Sequence, residues 1–121
     1  MTNFSWNPKS SILEWTHKGD PVKIDLNIPI ENALPLKDGA GIAVVLDPQN
    51  QLNPNNALII NLDGSIRFRL RKPDSHDRDA SFYYFNYVQG ELTVILASLT
   101  RDFAYVVDPE TGQFIRHYET R

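Results

Sequence analysis

The sequence predicts an all-β domain: an antiparallel meander of about eight to nine strands forming a sandwich or barrel, with little or no helix. Three observations predict it. Apolar residues recur with a period of two, turn residues punctuate the chain at short intervals, and no ten-residue stretch carries a 3.6-residue apolar period. Short connections favour antiparallel neighbours over parallel units, which need long crossovers.

Taken in order, residues 1–10 read as a loosely ordered N-terminal segment. Strands are expected near 12–17, 21–28, 41–46, 57–61, 65–71, 81–88, 91–97, 103–108 and 113–119. In the second of these, Val22, Ile24, Leu26 and Ile28 alternate with Lys23, Asp25 and Asn27, as a strand with one wet face does. The runs Ile42 to Leu46, Leu58 to Ile60 and Val94 to Leu96 are apolar at every position, which suits strands covered on both sides. Turns fall at Lys18-Gly19-Asp20-Pro21, Asp63-Gly64, Gln89-Gly90 and Asp108 to Gly112, where Gly supplies positive φ or Pro presets its own. Pro29 to Leu36 has room for a helical turn, limited by Pro35. The final meander resembles one blade of a β-propeller, although its turn is also an ordinary hairpin turn.

One hairpin is legible to its register. A two-residue Asp63-Gly64 loop pairs Leu62 with Ser65 and sets Ile60 and Leu58 beside Arg67 and Arg69. A three-residue loop with Gly64 left-handed and a bulge instead pairs Asn61 with Ser65 and places Ile60 and Leu58 with Ile66, Phe68 and Leu70 on one apolar face; burial chooses the second. Arg67, Arg69 and Arg71 then form a comb pointing away from the core.

The chain has 121 residues, the length of one domain, so 1–121 is read as a single all-β unit. It contains no cysteine, so disulfides, thiolate nucleophiles and cysteine-ligated metals are excluded. No basic segment followed by an apolar stretch opens the chain, and a cytoplasmic location is expected. The net charge of −3 argues against bulk affinity for nucleic acid or an anionic membrane, and neither is expected as a partner.

No catalytic motif, cofactor signature or metal-ligand spacing is present in the sequence. His17, His76 and His117 stand apart from one another. The loop Asp74-Ser75-His76-Asp77-Arg78-Asp79 gathers carboxylates and an imidazole; neighbouring Arg71, Lys72 and Arg78 neutralise them, and the spacing is not that of a calcium loop. The candidate partner-binding residues are therefore Arg67, Arg69, Arg71, Lys72, Asp74, His76, Asp77, Arg78 and Asp79, with Tyr84 of the aromatic run 82–87 as anchor. Solvated, ion-paired surface is the simpler reading of the same charges. Pairing across Gln89-Gly90 sets Tyr83, Phe85 and Tyr87 opposite Leu96, Val94 and Leu92, and Phe82, Tyr84 and Asn86 opposite Ala97, Ile95 and Thr93. One set is core; the other packs under a second layer or lines a groove.

In size, all-β pattern, acidity, lack of cysteine and lack of catalytic motif, the chain is similar to the immunity proteins of bacterial polymorphic-toxin and contact-dependent inhibition systems. The resemblance implies a cytoplasmic protein that binds one toxin domain and occludes it, with no catalysis and no cofactor. A ligand-carrying barrel or groove lined by Tyr83, Phe85, Tyr87 and Trp15 is the alternative. An enzyme centred on His76 or His117 comes third and a single-strand nucleic-acid binder fourth, since Phe68 faces the core and leaves the cations without a stacking platform.

Overall fold

The structure, a computed structural model, describes residues 1–49, 55–73 and 79–120. Among these residues eleven strands form three antiparallel sheets, with no helix and no closed barrel. The N-terminal sheet contains β1 (Thr2–Ser5), β2 (Ile12–His17) and β3 (Asp20–Asp25). The middle sheet contains β4 (Ile30–Pro35), β5 (Gly41–Leu46), β6 (Ala57–Asn61) and β7 (Ile66–Arg69). The C-terminal sheet contains β8 (Ser81–Val88), β9 (Glu91–Ala97), β10 (Asp102–Val107) and β11 (Phe114–Glu119). Each sheet is an uninterrupted meander of consecutive strands.

The apolar runs explain the stacking. Every residue of β5 is buried, because Ile42, Val44 and Leu46 face the N-terminal sheet while Ala43 and Val45 face the C-terminal one. Leu13 and Trp15 meet Leu58 and Ile60 in the first of these cores. Ala57, Ile59 and Leu70 meet Phe82, Phe85, Val94, Leu96 and Tyr105 in the second. Residues that alternate on a strand take opposite faces, so a run apolar at every position belongs to the middle layer.

Polar bridges fix how the layers dock. Asn56 is 1% exposed; its side-chain amide donates to the Leu46 carbonyl (2.9 Å) and the Phe82 carbonyl (2.7 Å), and its oxygen accepts from the Phe82 amide (3.1 Å). Asn32 accepts from the Phe85 amide at 2.9 Å. On the other side, the Trp15 indole N–H donates to the Leu62 carbonyl at 2.8 Å. Gly41 is required where β5 passes β6, since a Cβ there would lie 2.6 Å from the Ile60 carbonyl oxygen.

All nine expected strands are present, and two more appear. β1 occupies the segment read as loosely ordered: Thr2 pairs with Thr16 and Ser5 with Glu14 across a bulge, and Phe4 and Trp6 pack on the first core. β4 replaces the expected helical turn. Its Pro35 sits on an edge strand, where no ladder N–H is needed.

Candidate functional site

The arginine comb does not survive the fold. The Asn61 amide donates to the Ser65 carbonyl and Gly64 has φ of 93°, as the loop demands, but a bulge follows, so Ile66 pairs with Ile60 while Phe68 pairs with Ile59 and Arg69 with Leu58. The physical cause is that β6 is apolar on both faces and needs partners on both; the bulge moves Phe68 and Leu70 to the second core and leaves Ile66 beside the first. Arg67, the bulged residue, turns inward over the turns: Nε donates to Asn61 Oδ1 (2.6 Å), one terminal nitrogen to the Pro109 carbonyl (2.9 Å) and the other to the Ala40 carbonyl (2.6 Å). It is a clamp between the β4–β5, β6–β7 and β10–β11 turns. Arg69 reaches the Asn55 carbonyl at 3.4 Å, and the Lys72 amide donates to Asn55 Oδ1.

Arg71 and Lys72 line a surface hollow of about 310 Å³ beside Gln113 and Phe114. Asp79 accepts the Leu99 amide at 3.0 Å and so holds the β9–β10 turn. Asp74, His76, Asp77 and Arg78 lie outside the described residues. Tyr84 is on a different surface from the arginines, 44% exposed on the outer face of the C-terminal sheet.

The aromatic run is also re-registered. A bulge between Phe82 and Tyr84 puts Phe82 opposite Leu96, so Phe82 rather than Tyr83 enters the core, while Phe85 faces Val94 and Tyr87 faces Leu92 as expected. Tyr87 packs against the second core with its hydroxyl accepting the Lys37 amide, and Trp15 is buried in the first. The residues expected to line one groove are therefore parted: Phe85 and Tyr87 pack in the second core, Trp15 in the first, and Tyr83 lies in neither. His117 stacks on the Tyr105 ring at 4.8 Å, and burial raises the Tyr105 hydroxyl above its ordinary pKa. Among the described residues no group of acidic or histidine side chains has the arrangement of a metal site.

What the fold does assemble is the outer face of the C-terminal sheet. Cross-strand pairing sets Tyr118, Ala104, Ile95 and Tyr84 in one row and Arg116, Val106, Thr93 and Asn86 in the next. Thr93, Ala104 and Val106 are buried on this outward face, beneath the larger side chains around them. Tyr84 and Tyr118 stand at either end of their row, 44% and 43% exposed. Arg116 donates to Glu91, and that hydrogen bond and charge raise its pKa above the ordinary value. Where β4 meets this face, Glu31, Asp102, Tyr83, Tyr84, Ile95 and Thr120 line a hollow of about 320 Å³. Two carboxylates beside tyrosine rings suit a cationic side chain, through charge and the ring faces together.

Of this face, sequence reasoning named Tyr84 as an anchor and set Tyr84 opposite Ile95 and Asn86 opposite Thr93, as the structure does; the β10 and β11 part was not read. The alternation Arg116, Tyr118, Thr120 was the available signal for β11, but its alignment with Tyr84 depends on three strand pairings.

A crystal structure of a protein of unknown function from Bacteroides caccae is similar to 96% of this chain, with a TM-score of 0.64 at 12% identity. This chain spans 39% of that chain, and at that identity the likeness concerns the fold alone. No curated protein matches. A family model, described as a domain of unknown function, matches residues 14–118, from β2 into β11, and the chain belongs to that family, DUF7957.

Proposed function

We propose that this domain is a non-catalytic protein-binding module, a stoichiometric inhibitor of the immunity type that occludes a toxin domain with the outer face of its C-terminal sheet. The observation that carries the reading is the row Tyr84, Ile95, Ala104 and Tyr118, an aromatic and apolar strip on the outermost surface of the stack. Contiguous apolar patches rimmed by polar residues mark interaction sites, and aromatic anchors around a dry centre are what protein interfaces use. The hollow with Glu31 and Asp102 supports a partner that inserts a Lys or Arg side chain at the edge of the strip. Net negative charge on this chain speeds association with such a basic surface.

The test is capture of an equimolar protein from the lysate of the native cell, followed by expression of that protein alone. Growth arrest relieved by the wild-type chain, and not by Tyr84→Arg with Tyr118→Arg, is the expected result. Equal relief by the double variant would remove the function from this face.

A further inference from the structure

The middle and C-terminal sheets are built to one plan. The first strand of each carries a bulge, at Glu31 in β4 and at Tyr83 in β8, opposite the steps Val45-Leu46 and Ile95-Leu96. The fourth strand of each carries another, at Arg67 in β7 and at Ile115 in β11, opposite Ile59-Ile60 and Val106-Val107. Counted from either bulge, the central pairs coincide. Val45 with Ala57 answers Ile95 with Ala104, and Ala43 with Ile59 answers Thr93 with Val106. Bulges set the local bend and twist of a strand, so the two sheets share a curvature as well as a register.

Each residue in the two rows of the outer C-terminal face therefore has a counterpart in the middle sheet. The counterparts of Thr93, Ile95, Ala104 and Val106 are Ala43, Val45, Ala57 and Ile59, with which the middle sheet receives the C-terminal one. Tyr118 stands where Leu70 does, and Tyr84 stands where Asn32 holds the Phe85 amide at 2.9 Å. The centre is small and largely apolar in both sheets; the ends differ, with Arg116 and Asn86 in place of Phe68 and Leu34. Such polar ends suit a face that also meets water on its own. Asn86 Oδ1 is shielded from water and has no hydrogen-bond partner among the described residues. A main-chain amide arriving on this face can serve it, as the Phe85 amide serves Asn32.

We infer that the element seated on this face is a β-sheet of the partner, laid face to face at the roughly 10 Å spacing of stacked sheets and extending the stack by a fourth layer. The inference rests on the partner-binding reading above and specifies what that partner presents. Its sheet covers Ile95, Ala104 and Val106 with an apolar side and carries a Lys or Arg at the margin, toward Glu31 and Asp102. A sheet is the occupant because the same register, the same bulges and an equivalent central floor already receive one within this molecule. A second copy offers no matching face. Its N-terminal sheet is wet outside, with Glu14, Lys23 and Asp25, and the apolar inner faces of its sheets are packed in its own cores.

Photo-crosslinking within the complex with the captured equimolar protein tests it. p-Benzoylphenylalanine replaces Tyr84 in one variant, Tyr118 in a second and Glu14 in a third, and the labelled residues are read by mass spectrometry. Tyr84 and Tyr118 lie three strand spacings apart, roughly 14 Å, so each is expected to label a different segment of the partner, at alternate residues. Labels from both positions on one segment at spacings of three and four reveal a helix, and labels clustered in a loop reveal an irregular segment. Either pattern overturns the inference while leaving the face as the binding site. Labels from one copy of this chain to another make a second copy the occupant and also overturn it. Labels from the Glu14 position alone, or from none of the three, remove the partner from this face, and the proposed function falls with the inference.

Discussion

Outside β2 and β3 the stack of sheets ends in Glu14, Lys23 and Asp25; outside β9 and β10 it ends in Thr93, Ile95, Ala104 and Val106, flanked by Tyr84 and Tyr118. Both faces belong to outermost layers and both inner faces fill a core, so packing alone demands the same of each. The N-terminal sheet meets that demand in the ordinary way, with alternating strands whose wet side carries the Glu14–Lys23 ion pair at 3.6 Å. The C-terminal sheet does not: apolar side chains continue onto its far side, as though a further layer were to follow. Such a surface is costly in water, and a partner that covers it gives the cost a reason.

The comparison can be broken most severely by undocking the sheet that carries the unusual face. Asn56→Ala deletes the bridge between layers and strands the Phe82 amide and two carbonyls in a dry site. A loss of about 3 kcal/mol in unfolding free energy by urea titration is expected. The Tyr84→Arg variant leaves the fold intact and is expected to weaken partner binding by about 2 kcal/mol, roughly thirtyfold, in calorimetric titration. Glu14→Arg on the opposite face is expected to change that affinity by less than about twofold, since rim and distant charges contribute little.

Smaller effects sharpen the contrast from the N-terminal side. Trp15→Phe keeps an aromatic ring but vacates part of the space of the buried indole and loses the bond to the Leu62 carbonyl. It is expected to lower stability by about 1–2 kcal/mol, leaving partner affinity unchanged. The smallest effect is electrostatic. The Asp25 carboxylate accepts from the Ser11 hydroxyl and the Asn27 amide, which hold its pKa below the ordinary 3.8. A folded value below the unfolded one means a contribution complete above the ordinary value and lost as pH falls through the lowered one. The urea midpoints of wild type and Asp25→Asn should accordingly differ at neutral pH and converge in acid.

Much of the fold was legible because it depends on local pattern. Ile42 to Leu46 announced a strand covered on both sides, and Gly64 announced its loop. What was not legible depends on where two sheets sit at once. The bulge at Arg67 exists because β6 has two apolar faces to satisfy, and no count along residues 65–71 reveals it. The bulge beside Tyr83 exchanges Phe82 for Tyr83 in the core in the same way. The arginine comb failed for this reason: one alternation was read as one face. β1 and β4 were missed because bulges interrupt the period of two within strands of only four and six residues. The candidate face joins β8 through β11; the tight Gln89-Gly90 turn made its Tyr84–Ile95 and Asn86–Thr93 pairs legible, while the alignment of Ala104 and Tyr118 with them depends on two further strand pairings.

The most direct measurement is amide hydrogen exchange of the domain with and without its captured partner. The account predicts slowed exchange at Tyr84, across Thr93 to Ala97, at Ala104 to Val106 and around Tyr118, with β2 and β3 unchanged. Slowed exchange confined to β2 and β3, with β8 to β11 unaffected, would contradict it.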